Sequence, residues 1–169
     1  MKQKFPIYLS GESLFSNSQK AFTFENSKKL GEIKNGKIIY SPFEAFYLLE
    51  EGKADIIHNN KTLKEQELMK IFTRKDKEFS VKYLVFKNLR KKGYIVKTGL
   101  KFGTEFRVYA KNEKHARWLV FPTASRNKIN WQEFVSKNRI AHSTGKKMLI
   151  AIADSEQDIS YYEISWLKI

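Results

Sequence analysis

The stretch YIVKTGLKFGTEFRVYAKNEKHARWLVFPT, residues 94–123, decides the fold predicted for this chain. It contains three short runs rich in aromatic and β-branched residues, at 94–102, 105–110 and 117–123. Such runs, separated by turn residues, are typical of β-strands. We therefore predict three consecutive strands here.

The sequence after this stretch predicts one more helix and two more strands. In NWQEFVSKNRIAHS (130–143), Asn130 is a helix N-cap and Glu133 supports the first turn. KMLIAIA (147–153) and ISYYEISWLKI (159–169) have the composition of strands and are joined by the acidic turn DSEQD. The sequence therefore predicts that the three strands above are followed by a helix and two further strands, which the acidic turn joins.

The sequence before this stretch predicts a helix, FSVKYLVFKNLRKKG (79–93). Its apolar residues Phe79, Tyr83, Phe86 and Leu89 fall at helical spacing. Basic residues occupy the last turn and a glycine follows, as is usual at helix C-termini. With the elements above, this helix predicts a mixed β-sheet flanked by two helices.

The first part of the chain predicts a small α/β domain. Residues 1–40 have the composition of short strands and turns. Ser41, Pro42 and Glu44 form a capping-box signature that begins a helix, and TLKEQELMKIFT (62–73) predicts a second one. The charged run after it suggests a boundary, so we predict an N-terminal domain at residues 1–75 and a catalytic domain at residues 76–169.

Composition excludes several classes of protein. The 169 residues include 13 Phe, 8 Tyr and 3 Trp, enough for a packed core, and they include no Cys. Disulfides, Cys-ligated zinc and thiol catalysis are therefore excluded. The three histidines lie far apart, without metal-ligand spacing, and no segment suits a signal peptide or a membrane span. We expect a cytoplasmic protein without metal or other cofactor.

The positive charge is concentrated in the C-terminal part. The whole chain has a net charge of +14, of which residues 77–169 carry +11 and residues 1–76 only +3. A lysine-rich surface that is merely solvated is one explanation. The uneven distribution favours a second explanation, a polyanionic partner such as nucleic acid.

Tyr109, His115 and Lys146 suggest a chemistry for such a partner. A phenol is a weak acid, an imidazole titrates near neutral pH and an ammonium is a fixed positive charge. RNA is cleaved without a metal when its 2′-OH loses a proton, its leaving 5′-oxygen gains one and a cation stabilises the phosphorane. Alternatively, the three residues are a strand aromatic, a surface histidine and a solvated lysine.

Several motifs in order resemble the catalytic subunit of archaeal tRNA-splicing endonucleases. They are SPFEAFYLLEEGKADI in the N-terminal part and KNLRKKGYIVKTGLKFGTEFRVYAK, HARWLVFP, NRIAHSTGKKM and YYEISWL in the C-terminal part. The resemblance covers nearly the whole chain. It implies an α/β (α+β) fold in which a small α/β domain precedes a restriction-endonuclease-like domain, a mixed sheet with flanking helices.

The resemblance also implies roles for individual residues. Tyr109 ends the FRVY motif and matches the general base, His115 opens the H-x-x-W-L-V motif and matches the general acid, and Lys146 matches the cation. Gly145 stands where the family often has Arg, and the segment between Tyr109 and His115 is shorter than usual. Because that Arg is missing, the choice between Lys146 and Lys147 stays open. Only one of the two can serve, since consecutive strand residues face opposite sides.

Further residues match positions that bind the substrate or a partner subunit. Arg139 and Trp166 match a clamp that sandwiches a bulged base. Asp154, Glu156 and Asp158 match an acidic loop that inserts into another subunit, although a solvated hairpin turn is the simpler explanation. The resemblance implies an assembly of four units, either four copies of this chain or two catalytic copies with two structural paralogues, acting on bulge-helix-bulge precursor tRNA.

Two alternative functions compete with this prediction. A non-catalytic RNA-binding subunit of the same assembly has no need for the three residues Tyr109, His115 and Lys146. A metal-dependent DNA nuclease needs a Glu-x-Lys motif on the catalytic sheet, and the chain offers only those that begin at Glu32 and Glu51. The first lies in the N-terminal part and the second at the end of a predicted helix.

Overall fold

The computed structural model describes residues 4–169 of the chain. The chain divides into two compact units, Met1–Phe79 and Ser80–Ile169. The predicted domain boundary lies four residues earlier, and the assignment of catalysis to the second domain stays a prediction.

Unit 1 consists of a six-stranded mixed sheet and three helices. The strands follow the order β3-β4-β2-β1-β5-β6, in which only β1 and β5 are parallel. The elements are β1 (Phe5–Ser10), β2 (Ser13–Ser16), α1 (Gln19–Lys28), β3 (Glu32–Lys34), β4 (Lys37–Tyr40), α2 (Pro42–Glu50), β5 (Ala54–His58), β6 (Lys61–Leu63) and α3 (Glu65–Lys75).

The capping box predicted at Ser41 is confirmed. The Ser41 hydroxyl accepts from the Glu44 N–H at 3.2 Å, and the Glu44 carboxylate accepts from the Ser41 N–H at 3.0 Å. The buried Glu44 side chain also accepts from the Gly31 N–H at 3.0 Å. These bonds satisfy the orphan donors at the start of α2 and tie it to the chain before β4.

Two predictions for unit 1 were wrong. Residues 1–40 are not strands and turns alone, because α1 lies within them. The Ser18 hydroxyl accepts from the Ala21 N–H at 3.2 Å and caps this helix, which buries only Ala21. The second helix also begins later than predicted, since residues 61–63 pair as β6 with β5.

Unit 2 is a five-stranded mixed sheet with a helix on each face. The strands follow the order β11-β10-β9-β8-β7, in which β9 and β10 are parallel and the other pairs antiparallel. The elements are α4 (Phe79–Lys91), β7 (Ile95–Thr98), β8 (Phe106–Tyr109), β9 (Trp118–Ala124), α5 (Trp131–Ser143), β10 (Lys147–Ala153) and β11 (Ile159–Ile164). The predicted mixed sheet with flanking helices is confirmed.

Two predicted strands are shorter than expected. The run at 94–102 becomes β7 followed by a 3₁₀ turn at Leu100–Phe102, and the left-handed Gly103 ends that turn. The closing strand ends at Ile164, where its pairing with Met148 of β10 ends. Trp166 therefore follows the last strand and is not part of it.

The two faces of this sheet are covered by different helices. Phe106 packs against Phe86 of α4 at a ring distance of 5.8 Å, and the Tyr161 hydroxyl donates to Asn88 of α4 at 2.8 Å. We call this side the α4 face. On the opposite side, the α5 face, Leu119 and Met148 pack around Ala141 of α5. Burying apolar surface on both faces stabilises the sheet.

Candidate active site at one edge of the unit 2 sheet

Tyr109 and Lys146 lie at the same edge of the sheet. Tyr109 is the last residue of β8, and Lys146 directly precedes β10. Between these strands β9 begins at Trp118, which pairs with Val108 of β8 and Lys147 of β10. Two strand spacings separate the backbones of Tyr109 and Lys146, roughly 10 Å.

Strand alternation brings Tyr109 and Lys146 to the same face. Val108, Trp118 and Lys147 are register partners and share the α4 face. Their neighbours Tyr109 and Lys146 therefore point to the α5 face. The contacts of Lys146 agree, because its Nζ lies 4.9 Å from the ring centroid of Phe102, which packs against the cluster beneath α5.

The Lys146 ammonium is held by the end of α5. Its Nζ donates to the Thr144 carbonyl at 2.9 Å, and the Lys146 N–H donates to the Ala141 carbonyl at 2.8 Å. Carbonyls at a helix C-terminus favour a cation. An ammonium has three donors, so this bond leaves donors for a phosphate oxygen.

Lys147 makes a separate network on the opposite face. Its Nζ donates to Oε1 of Glu163 at 2.6 Å, and Nε1 of Trp118 donates to Oε2 of the same carboxylate at 2.7 Å. The bond from Lys147, and next the bond from Trp118, hold the pKa of the Glu163 carboxyl below its usual range. Lys147 is thus engaged in fixing β11 to β10 and β9.

Gly145 adopts a left-handed backbone between α5 and β10. Its φ is +66°, a conformation that costs a side-chain-bearing residue roughly 1 kcal/mol or more. A Cβ atom at this position would meet no heavy atom within 4 Å. An Arg here would therefore fit the space but strain the turn, which gives a physical reason for the glycine.

His115 lies in the exposed loop that connects β8 to β9. The loop is fixed in place just after His115. There Ala116 is buried, and the backbone of Arg117 forms hydrogen bonds with residues of the strands on both sides, β8 and β10. The Arg117 N–H donates to the Val108 carbonyl at 2.8 Å, and the Arg117 carbonyl accepts from the Lys147 N–H at 3.0 Å. Two residues before this anchor, His115 lies within about 7 Å of it along the chain.

Arg117 also braces the loop through its side chain. Its guanidinium pairs with Glu113 across the loop and lies 5.2 Å from the Trp118 ring centroid. Tyr94 contacts the same indole edge-on at 5.5 Å. These contacts restrict the loop that carries His115.

The two residues predicted to clamp a base lie at the end of α5. The Trp166 ring, 49% exposed, lies 4.8 Å from the ring of His142 in the last turn of α5. Arg139 is exposed one turn earlier, three residues before His142, and residues at this spacing are neighbours on a helix surface. Trp166 therefore contacts the last turn of α5, three residues along the helix from Arg139.

The acidic turn between β10 and β11 is exposed and internally bonded. Asp154 Oδ1 accepts from the N–H groups of Glu156 and Asp158, both at 2.9 Å. Asp154 thus shapes the turn, and the exposed side chains of Glu156 and Asp158 extend from it. Their predicted role at a subunit interface stays a prediction.

The described residues 4–169 contain no group of three or more His, Asp or Glu side chains arranged to hold a metal ion. Across the same part of the chain, no helix has both the length and the apolar character to cross a membrane. The Glu-x-Lys motif at Glu32 forms the edge strand β3 of unit 1, and the one at Glu51 follows α2.

Four residues at this site were missed by sequence analysis. Phe102 contacts the Lys146 ammonium, and His142 contacts Trp166. The other two are Trp118 and Glu163, which are joined by a hydrogen bond between their side chains. Trp118 and Glu163 are 45 positions apart in the sequence, so no local pattern marks their contact.

The mixed sheet of unit 2, with its flanking helices and its basic edge, is typical of a nuclease-like protein of the α+β class. A family model for the tRNA intron endonuclease N-terminal domain matches residues 7–69, and a model for the tRNA intron endonuclease catalytic C-terminal domain matches residues 79–161.

Relatives from archaea give the same result. The chain is 40% identical over 169 residues to the tRNA-splicing endonuclease of Pyrococcus abyssi, covering 99% of both chains. It is 37% identical over 135 residues to that of Nanoarchaeum equitans, covering 74% of this chain and 86% of the relative. It is 35% identical over 142 residues to that of Methanothermobacter thermautotrophicus, covering 82% of both. The chain belongs to the tRNA intron endonuclease family and is an enzyme of that class.

Proposed function

We propose that this enzyme cleaves precursor tRNA by a metal-independent transesterification. The ribose 2′-oxygen attacks the adjacent phosphorus, and the bond from phosphorus to the 5′-oxygen breaks. The products are a 2′,3′-cyclic phosphate and a 5′-OH. One observation supports the proposal: Tyr109 and Lys146 lie at the same edge of the sheet, at the ends of the two strands that flank β9, next to the loop that contains His115.

Each of the three side chains has one task in the proposed reaction. Tyr109 accepts the proton of the 2′-OH, and His115 donates a proton to the leaving 5′-oxygen. Lys146 stabilises the extra negative charge of the phosphorane. Tyr161 is unsuited to the role of Tyr109, since burial raises the pKa of its hydroxyl and it donates to Asn88.

We propose the bulge-helix-bulge as the substrate structure. Arg139 and Trp166 lie close to the end of α5 from which Lys146 extends. A guanidinium and an indole hold a base that is flipped out of a helix by stacking, whatever its identity. Their neighbourhood supports recognition of RNA by its shape.

We also propose that the active enzyme is a cytoplasmic tetramer. Two cuts are needed to release an intron, and one chain offers one candidate edge. The exposed acidic residues Glu156 and Asp158 suit a basic pocket on another subunit. The tetramer contains either four copies of this chain or two copies with two structural paralogues.

The test is cleavage of a bulge-helix-bulge RNA by the purified chain in excess EDTA, with analysis of the end groups. We expect undiminished cutting that leaves a 2′,3′-cyclic phosphate and a 5′-OH. A strict magnesium requirement, or 5′-phosphate ends, would refute the proposed chemistry. Activity that appears only after a paralogue is added would support the heterotetramer.

A further inference from the structure

The sheet of unit 1 has a face that its own helices do not cover. Along each inner strand, alternate residues are buried, and these include Phe5 and Ile7 of β1, Leu14 of β2 and Ile38 of β4. Phe5 contacts Phe24 of α1 at a ring distance of 5.6 Å, which identifies the helix side. The intervening residues of the same strands are half-buried or exposed.

Aromatic and aliphatic side chains form a row across this open face. Tyr8 on β1 pairs with Phe15 on β2 and with Ile57 on β5, and Phe15 pairs in turn with Ile39 on β4. Tyr8 is 37% exposed, and its ring centroid lies 5.8 Å from that of Phe15. The two rings are inclined to each other by 33°, and Tyr8 is the more exposed of the two.

A cation accompanies these rings. The Lys37 ammonium lies 4.6 Å from the ring centroid of Phe15, and Lys37 is exposed. Lys34 pairs with Lys37 across β3 and β4 and adds a second positive charge at the same corner. On the other side, Asp55 is neutralised by Lys4 at 3.0 Å. Positive charge therefore accompanies the aromatic row at the end formed by β3 and β4.

This composition suits nucleobases better than a protein partner. Aromatic rings on an open sheet stack bases, and adjacent lysines contact the phosphates between them. The core of a protein interface is usually depleted of lysine, whereas the Lys37 ammonium lies over the Phe15 ring within this row.

We propose that Tyr8, Phe15 and Lys37 form a second RNA-binding surface, which takes single-stranded RNA. Tyr8 and Phe15 stack bases, and the Lys37 ammonium contacts the backbone phosphate. The natural ligand is an unpaired stretch of an RNA that the enzyme processes. This surface contains none of the residues proposed for cleavage, so it adds a contact that the chemistry does not need.

The test uses the full-length protein and a short uridine-rich oligonucleotide that has no bulge and no helix. Binding is measured by fluorescence anisotropy at several salt concentrations. We expect Tyr8→Ser to weaken binding by roughly tenfold, and Tyr8→Phe to restore it, because a phenyl ring also stacks. Lys37→Ala should weaken binding. It should also lower, by about one, the slope of the logarithm of affinity against the logarithm of salt concentration.

A matched control and a direct map of contacts complete the design. Ile33→Ser, at an exposed position on edge strand β3, should leave binding unchanged. Oligonucleotide containing 5-iodouridine should crosslink to peptides that contain Tyr8 or Phe15. Unchanged affinity in Tyr8→Ser with crosslinks confined to unit 2 would overturn the proposal. The proposal would also be overturned if Tyr8→Ser changed the oligomeric state of the protein, measured by sedimentation, and left its RNA affinity unaltered. That result would identify the surface as a contact between copies of the protein. Because the probe is not cleaved, neither result depends on the proposed transesterification.

Discussion

The ammonium of Lys147 lies 2.6 Å from a carboxylate oxygen of Glu163, on the face of the unit 2 sheet opposite to Lys146. Two consecutive lysines therefore have different neighbours. Lys147 is part of an ion pair that fixes β11, whereas the Lys146 ammonium lies at the end of α5, at the edge that carries Tyr109. This difference separates the two candidates that the sequence could not distinguish.

Lys146→Ala and Lys147→Ala should consequently differ in their effects on cleavage. Losing one preorganised charge at the phosphorane costs roughly 3 kcal/mol of barrier, so Lys146→Ala should slow single-turnover cleavage by about 100-fold or more. Lys147→Ala should leave that rate nearly unchanged and lower the free energy of unfolding by at most about 1 kcal/mol. The reverse pattern of rates would assign the role to Lys147.

Much of the unit 2 fold could be predicted because its signals are local. The cap at Asn130, which accepts from the N–H groups of Gln132 and Glu133, is visible in the sequence, as is the apolar spacing of α4. The helix α1 could not be predicted, because it buries one residue and its aromatic residues favour strands. Tertiary packing, including the contact of Phe24 with Phe5, outweighs that preference.

The motifs single out Tyr109, His115 and Lys146 as candidates, and their roles stay predictions. Their relative placement could not be predicted from the sequence, because it depends on the strand order. Tyr109 and Lys146 lie at the same edge, two strands apart, because β9 lies between β8 and β10 and runs parallel to β10. The supporting contacts of Glu163 and Phe102 join segments far apart in sequence, so no periodicity reveals them.

His115→Ala should remove the general acid without disturbing the fold. Proton transfer by a positioned side chain contributes roughly 100- to 10,000-fold, so the cleavage rate should fall by a factor in that range. Substrate binding, measured by gel shift, should stay nearly intact because His115 is exposed and one ring contributes little to the surface charge. Lys114→Ala, an exposed neighbour in the same loop, is the matched control and should retain most of the rate. Strong cutting by His115→Ala would contradict its assignment.

Trp166→Ala should weaken the handling of bulged RNA specifically. Stacking of one base on an aromatic ring is worth about 1–3 kcal/mol, which corresponds to roughly 5- to 150-fold in affinity. A simple duplex offers no flipped base, so its affinity should not change. Trp131→Ala is the control, since Trp131 is 68% exposed at the other end of α5, about 16 Å away. Equal losses for both variants, or equal losses on both RNAs, would exclude a clamp at Trp166.

Glu163→Gln should reveal the ion pair through the pH dependence of stability. Because the Lys147 and Trp118 bonds lower the pKa of Glu163 in the folded state, the ionised carboxylate stabilises the fold above the usual glutamate pKa of about 4.3. That stabilisation is lost as the pH falls from this value through the lower pKa of the folded protein. Urea unfolding should therefore show wild type more stable than Glu163→Gln at pH 7, by no more than about 1 kcal/mol for so exposed a pair. The difference should shrink as the pH falls below the usual glutamate pKa, while Glu156→Gln, in the exposed turn, should match wild type throughout. A difference between wild type and Glu163→Gln that is independent of pH would mean that packing, and not charge, joins β11 to Lys147.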